Sequence, residues 1–236
     1  MPLPFQGRHI VVTGASGALG TAVTNALLES GATCHLPSRG QESTAGFDAA
    51  VLERVKLANG VDPTNERAVT DFYAGLPSLW ASIHCIGGFA AAPFTDTLGP
   101  DVDRLMQANF LSPFYCAREA VRAMRRGAHR GGRIVNVAAR AALEPRAAGG
   151  MAAYAASKAA LAALSEALGE ELAAEGILVN SVAPSLMDTP ANRKSMPSAD
   201  FTRWPRVEEV AATILWLASP QNSLVRSGTV PVYGRS

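Results

Sequence analysis

Tyr154 and Lys158 stand four residues apart in YAASK, within a stretch that carries an apolar stripe, MAAYAASKAALAALSEALGEELAAEG. Four residues is about one helical turn, so the two side chains share a face. A phenol with a pKa of about 10 is a poor base near neutrality, because little of it is ionised. A nearby ammonium favours the phenolate. Such a pair can give a proton to a substrate oxygen or nitrogen as hydride arrives, and take one in reverse. Most helical Tyr/Lys pairs are structural; this one opens a segment that follows a buried strand, and that setting singles it out. The second feature is TGASGALG. Gly14, Gly17 and Gly20, with Ser16 and Leu19 among them, let the backbone turn sharply and approach a ligand. The helix that follows offers free N–H groups and a positive dipole to a pyrophosphate. Three glycines are often just a tight turn; their place directly after the first strand points to a dinucleotide. The third is LPSRG. An NAD site places an acid after the second strand, whereas a 2′-phosphate needs a cation. Ser38 and Arg39 suit the phosphate, and no acid follows until Glu42, so NADP(H) is expected over NAD(H). An exposed loop arginine is the plain alternative. Asp62 can accept from an adenine amino group or simply be solvated.

These residues need a scaffold. HIVVT (9–13), ATCHL (32–36), WASIHCI (80–86), RIVNV (133–137) and ILVNSV (177–182) read as strands; VKLANG (55–60) and GTVPVY (228–233) are weaker candidates. Amphipathic stretches fall between them, at 18–30, 64–75, 102–126, 151–175 and 207–218. This alternation predicts repeated βα units and a parallel sheet with helices on both faces. The strands are nearly continuously apolar, as a sheet covered on both sides requires. No linker or repeat divides the chain, so one domain over 1–236 is expected. The irregular stretch 183–205 is long for a connection within a compact domain, which suits a substrate lid.

A formal net charge of +1 argues against an electrostatic nucleic-acid or membrane binder. The start of the chain lacks the pattern of a signal peptide, and no apolar run reaches the length of a membrane span. The three cysteines, Cys34, Cys85 and Cys116, are odd in number and far apart, so no disulfide framework is expected. A soluble cytoplasmic protein follows. His9, His35, His84 and His129 form no metal-ligand spacing. The arginine-rich run 118–133 suits a solvated helix face and C-terminus more than RNA.

TGASGALG, Asn109 in QANF, Tyr154 and Lys158 in YAASK, and VAPSLMDTP together resemble the short-chain dehydrogenase/reductases over essentially the whole chain. The resemblance implies a Rossmann-like, doubly wound sheet of about seven strands, usually in dimers or tetramers. It implies Tyr154 as catalytic acid/base and Lys158 as its partner, also holding the nicotinamide ribose. Asn109 would hold a relay water, and Thr189 would contact the nicotinamide end. Gly87 would belong to the cofactor wall. The outer faces of 102–126 and 151–175 would make a subunit interface. The departures are Ala18 for the usual second glycine, His84-Cys85-Ile86-Gly87 for Asn-Asn-Ala-Gly, and Pro184-Ser185 for Pro-Gly. At His84 a packed polar side chain is the default and a substrate contact the alternative.

The largest departure is Ala139, in NVAARAAL, where the family has a serine that hydrogen-bonds the substrate oxygen. Losing such a donor costs orders of magnitude in rate for a simple ketone. Three readings remain open: an inactive enzyme, a substitute such as Arg140 or Ser185, or a substrate that needs no donor. AARAAL and DTPANRKSMPSADFTRW are similar to the quinonoid dihydropteridine reductase branch, which has alanine at this place and a substrate activated by conjugation. An NADP(H)-dependent reductase of a small conjugated carbonyl or imine is therefore expected. A weakened family member acting as an NADP(H)-binding regulator is the alternative.

Overall fold

A computed structural model describes residues 4–41, 47, 49–127 and 131–236; Glu42, His129 and the arginine run's Arg130 lie outside the described residues. Seven parallel strands form one sheet in the order β3-β2-β1-β4-β5-β6-β7. They are β1 His9–Thr13, β2 Thr33–Ser38, β3 Val55–Asn59, β4 Leu79–His84, β5 Gly132–Val137, β6 Ile177–Pro184 and β7 Thr229–Val232. The helices are α1 Ala18–Glu29, α2 Glu66–Ala74, α3 Gly99–Met106, α4 Ser112–Arg126, α5 Arg140–Leu143, α6 Ala152–Glu171, α7 Pro190–Ser195 and α8 Val207–Ala218.

Successive strand residues point to opposite faces. Ile10 and Val12 therefore pack under α1 and α8 with Val23, Leu27, Ile214 and Leu217. Val11 points the other way, into the layer of α2, α4 and α6 with Val69, Tyr73, Cys116 and Ala120. Helices thus cover both faces, and the expected doubly wound, Rossmann-like sheet is observed. Strand order reverses between β1 and β4. In such sheets the crevice beyond the strands' C-terminal ends at that reversal holds the ligand.

Three segments differ from expectation. The stretch 102–126 is not one helix. It starts at Gly99, passes through a π-helical turn at Gln107–Leu111, and resumes as α4 with Pro113 near its start. Proline has no N–H to give, and a widened turn accommodates the interruption. The stretch 151–175 ends as α6 at Glu171 and closes with a 3₁₀ turn at Ala173–Glu175. The lid stretch 183–205 is more regular than its composition suggests. β6 runs on to Pro184, α7 follows, and a 3₁₀ turn spans Phe201–Arg203. Asp188 ties the lid together: its carboxylate takes two bonds from Arg193 (2.6 and 2.7 Å), and its N–H donates to the Pro205 carbonyl at 2.9 Å.

Among the described residues, the arginines of the 118–133 run have partners within the fold, Arg133 at the Asn222 carbonyl. Arg118 pairs with Glu66 and Glu119, Arg122 with Glu119, and Arg125 with Glu175, while Arg126 donates to the Tyr73 carbonyl. Among the described residues, no helix is long and apolar enough to cross a membrane, and no group of three or more His, Cys, Asp or Glu side chains could hold a metal ion.

Candidate active site

The crevice opens where β1 turns into α1. Gly14 has φ +70°, and a Cβ there would lie 2.8 Å from the Ile86 nitrogen, so glycine is required on both counts. At Gly20 a Cβ would lie 2.0 Å from the Gly14 carbonyl oxygen. Gly17 is different. It caps α1 with φ −74°, and its Cβ would meet only the Gly14 oxygen, at 3.4 Å. The neighbouring Ala18 is already the first residue of α1, so its methyl does not obstruct the turn's conformation. No side chain caps the N-terminus of α1 and no acid sits in its first turn. Its N–H groups and dipole suit a pyrophosphate.

From this turn a cleft of about 770 Å³ runs outward, lined by Gly14, Ser16, Thr21, Ser38, Arg39 and Ile86, with Phe47 and Leu57 among its apolar walls. A cradle that a Cβ would fill, an uncapped helix start and a far end with Ser38 and Arg39 together fit a dinucleotide carrying an extra phosphate. Leu19 is buried behind the turn and shapes the loop through packing. Asp62 spends one carboxylate oxygen on Thr64, accepting from its N–H at 2.9 Å and its hydroxyl at 2.8 Å.

On the other side of the reversal, Tyr154 and Lys158 project from the first turns of α6. The Lys158 ammonium is buried and donates to the carbonyl of Val137, the last residue of β5, at 2.6 Å. Burial pulls its pKa down to about 8. Tyr154 is partly buried, and burial pushes its phenol up from the usual value. This corrects the expectation that the ammonium tunes the phenol downward. The ammonium is committed to the Val137 carbonyl, and removal of the phenol from water is the stronger influence.

Asn109 sits in the π-helical turn, fully buried. Its Oδ1 accepts from the Gly88 N–H at 2.8 Å, and its Nδ2 donates to the Gly88 carbonyl and the Ser157 hydroxyl, both at 3.0 Å. All its side-chain bonds therefore hold the loop after β4 and the start of α6 together. Gly87 makes room for this clamp: a Cβ there would lie 3.0 Å from Asn109 Oδ1 and 3.2 Å from Lys158 Nζ. The residue after the clamp, Phe89, lays its ring edge to face on Tyr154, with centroids 5.0 Å apart at 76°. The sequence reading missed Phe89; its signal was an aromatic residue directly after a glycine pair at the end of a core strand.

Ala139 lies at the start of α5, 7% exposed, with no hydroxyl to offer. Both candidate substitutes have partners elsewhere in the fold. Arg140 is bound to Glu144 at 2.7 Å, with its guanidinium over the Tyr233 ring. Ser185 donates to the Tyr233 carbonyl at 2.9 Å and accepts from the Ser236 hydroxyl at 2.7 Å. Thr189 caps α7 by accepting from the Asn192 N–H at 3.2 Å. These three positions hold the lid, α5 and the chain's end in place. His84 is a packed polar side chain, as its default reading expects: it lies 2.7 Å from Asn136 and 2.9 Å from Ser82 in the core.

Known proteins share this design. A model of the short chain dehydrogenase family matches residues 8–200. The chain is 30% identical to the cyclic-di-GMP-binding biofilm dispersal mediator protein of Escherichia coli (strain K12), covering 94% of this chain and 93% of that one. It is 32% identical to the galactitol 2-dehydrogenase of Rhizobium johnstonii (strain DSM 114642 / LMG 32736 / 3841), covering 97% and 94% respectively. The solved structure of BdcA in complex with NADPH superposes with a TM-score of 0.84 at 26% identity, covering 98% of this chain and 95% of that one. A family match over residues 8–200, with relatives 30% and 32% identical along nearly the whole chain, places the chain in the short-chain dehydrogenase/reductase family of NAD(P)-dependent oxidoreductases.

Proposed function

We propose that the protein is an NADP(H)-dependent reductase of a small conjugated carbonyl or imine. The observation that carries this reading is the Tyr154 phenol set edge to face against the exposed Phe89 ring, with no second donor at position 139. When bound, NADPH supplies the hydride that forms the new C–H bond at the substrate carbon. Tyr154 gives its proton to the substrate oxygen or nitrogen, so C=O becomes CH–OH, or C=N becomes CH–NH, and the phenol recovers a proton from water. Lys158 holds the cofactor's ribose and fixes Tyr154 through α6. Gly14, Ser16, Gly17 and Gly20 hold the pyrophosphate on the N-terminus of α1, and Ser38 and Arg39 take the 2′-phosphate. Asp62 and Thr189 serve as outer cofactor contacts through atoms beyond those already bonded. Asn109 sets the geometry of the loop that faces Tyr154.

The conjugated substrate accounts for Ala139. An acceptor activated by its own conjugation needs less help from a donor aimed at its oxygen. The stretch from Asp188 to Trp204, similar to the quinonoid dihydropteridine reductases, supports the same class. The NADPH complex of BdcA supports the cofactor. The reading includes a homodimer or homotetramer joined through the outer faces of α4 and α6, and a cytoplasmic location consistent with three free thiols.

A second reading, an NADP(H)-binding regulator, is favoured by the missing hydroxyl and by the E. coli relative named as a cyclic-di-GMP-binding biofilm dispersal mediator. NADPH oxidation with a panel of quinonoid and dicarbonyl acceptors separates the two. The reductase reading expects turnover that vanishes in Tyr154→Phe, and NADPH bound more tightly than NADH until Arg39→Ala removes the preference. Tight NADPH binding with no turnover on any acceptor overturns it in favour of the regulator.

A further inference from the structure

We infer that Phe89 determines specificity in this site, and that the substrate carries a flat apolar body packed against the Phe89 ring. The inference rests on the reductase reading and names the shape of its substrate. Three observations carry it. First, the backbone of Phe89 is fixed from behind. Asn109 clamps both polar groups of Gly88, and Gly87 is hemmed in by Asn109 and Lys158. Second, the ring on that fixed backbone stays 60% exposed while touching the phenol of Tyr154. One exposed phenylalanine is ordinary on a protein surface. An exposed ring set rigidly beside a proton donor offers a packing surface to whatever receives the proton. Third, other exposed apolar side chains rise from the same edge of the sheet: Phe94 after β4, Leu143 after β5, and Leu186 and Met196 after β6. β4, β5 and β6 are neighbours in the sheet, so the segments that follow them leave it along one rim, the C-terminal edge.

Two polar side chains beside position 139 in the sequence reading are engaged within the fold. Arg140 holds Glu144, Ser185 holds the Tyr233 carbonyl, and Ala139 has nothing to give. Orientation on this side must therefore come from shape and apolar contact. A polyhydroxylated substrate would leave hydroxyls without partners against such a rim, and a site rejects groups it leaves unpaired. A flat conjugated ring stacks or meets edge to face with Phe89 at no such cost.

The test uses two acceptors with the same reacting group: 1-phenyl-1,2-propanedione and 2,3-butanedione, reduced with NADPH. Wild type is expected to favour the phenyl compound by at least about tenfold in kcat/KM, the size of a good ring–ring contact together with the apolar area buried. Phe89→Ala brings the ratio close to one, mainly by raising KM for the phenyl compound. Phe89→Tyr restores it. NADPH affinity, followed by fluorescence, stays at the wild-type level in both variants and certifies the fold. A wild-type ratio near one, or a ratio that survives Phe89→Ala, overturns the inference and leaves the reductase reading standing. If neither diketone is reduced, the reductase reading fails on these acceptors, and thermal shifts of the NADP-loaded protein decide about Phe89. A phenyl-selective shift lost in Phe89→Ala supports the apolar wall; equal shifts from both compounds overturn it.

Discussion

Acid should weaken this fold through one histidine, and the buried hydrogen bonds show why. Tyr73, Ser82, His84, Asn136 and Ser165 form a chain through the core, with links of 2.7, 2.9, 2.7 and 2.9 Å. The Ser165 hydroxyl donates to the Leu161 carbonyl, so it accepts from the Asn136 amide nitrogen. The Asn136 oxygen then faces His84 Nδ1, which must carry the proton, leaving Nε2 to accept from Ser82. A neutral imidazole satisfies every link. A second proton would charge a ring that is 1% exposed, and burial accordingly lowers the pKa of His84 to about 4. Unfolded, the same histidine binds its proton below about 6.5. Between those values the unfolded chain holds more protons, so this contribution is whole above pH 6.5 and is lost as pH falls toward 4. The gap is worth about 3 kcal/mol in full, and about 2 kcal/mol of it is gone by about pH 5. Urea unfolding at a fixed protein concentration, at about pH 7.5 and about pH 5, measures the loss. His84→Asn keeps a donor for Asn136 and removes the titration. It should be less stable than wild type near neutrality, yet lose about 2 kcal/mol less on acidification. His35, also lowered to about 4 by burial, is present in both proteins and cancels in the comparison. If His84→Asn and wild type lose the same stability between the two pH values, the neutral-chain argument is wrong.

Other expectations follow from the crevice. Gly14→Ala should lose at least about 2 kcal/mol in denaturant unfolding and most of its NADPH affinity, because positive φ and the Ile86 backbone both exclude a Cβ. Gly17→Ala should cost about 1 kcal/mol or less, a capping effect alone, so equal losses in the two variants would contradict the geometry. Asn109→Ala strands the Gly88 N–H and carbonyl and removes one bond from the Ser157 hydroxyl, which keeps the Tyr154 carbonyl, and should cost about 3 kcal/mol in the same experiment. Ala139→Ser should raise kcat/KM for simple ketones by about tenfold or more while changing conjugated acceptors far less. A uniform gain, read from steady-state kinetics on both acceptor types, would show that the natural substrate also lacks a donor it could use.

The elements were legible because burial on both faces writes itself into composition. Inner strands such as β4 and β6 are buried along their whole length, and apolar residues predominate in both despite Ser82, His84, Asn180 and Ser181. β3 and β7 are the edges of the sheet, only partly covered, and their sequences are correspondingly weaker signals. The π-helical turn was not legible. Nothing in QANFL breaks the helical pattern; the turn becomes visible only when Asn109 is seen reaching across to Gly88 and Ser157. Likewise α7 is a single short turn whose stability comes from the Thr189 cap and the Asp188–Arg193 pair, too local for an apolar period to reveal.

The chemistry of the site was harder to read than its location, and the reason is competition for partners. Spacing placed Lys158 one turn from Tyr154, but spacing cannot say which acceptor an ammonium will choose. The Val137 carbonyl is anchored in β5 and meets the ammonium at 2.6 Å inside the core, where a backbone acceptor is worth most. Burial raises the Tyr154 phenol above its usual value. Arg140 and Ser185 show the same logic. Each is polar and near the vacant serine position in sequence, and each is claimed by Glu144 or the Tyr233 carbonyl. A side chain whose hydrogen bonds are already made within the fold must break one to serve a substrate, at a cost of about 1 kcal/mol or more. On the proposed reductase reading, a site in which Arg140 and Ser185 would both pay that cost favours substrates that ask for one proton, from Tyr154, and for apolar contact on that side.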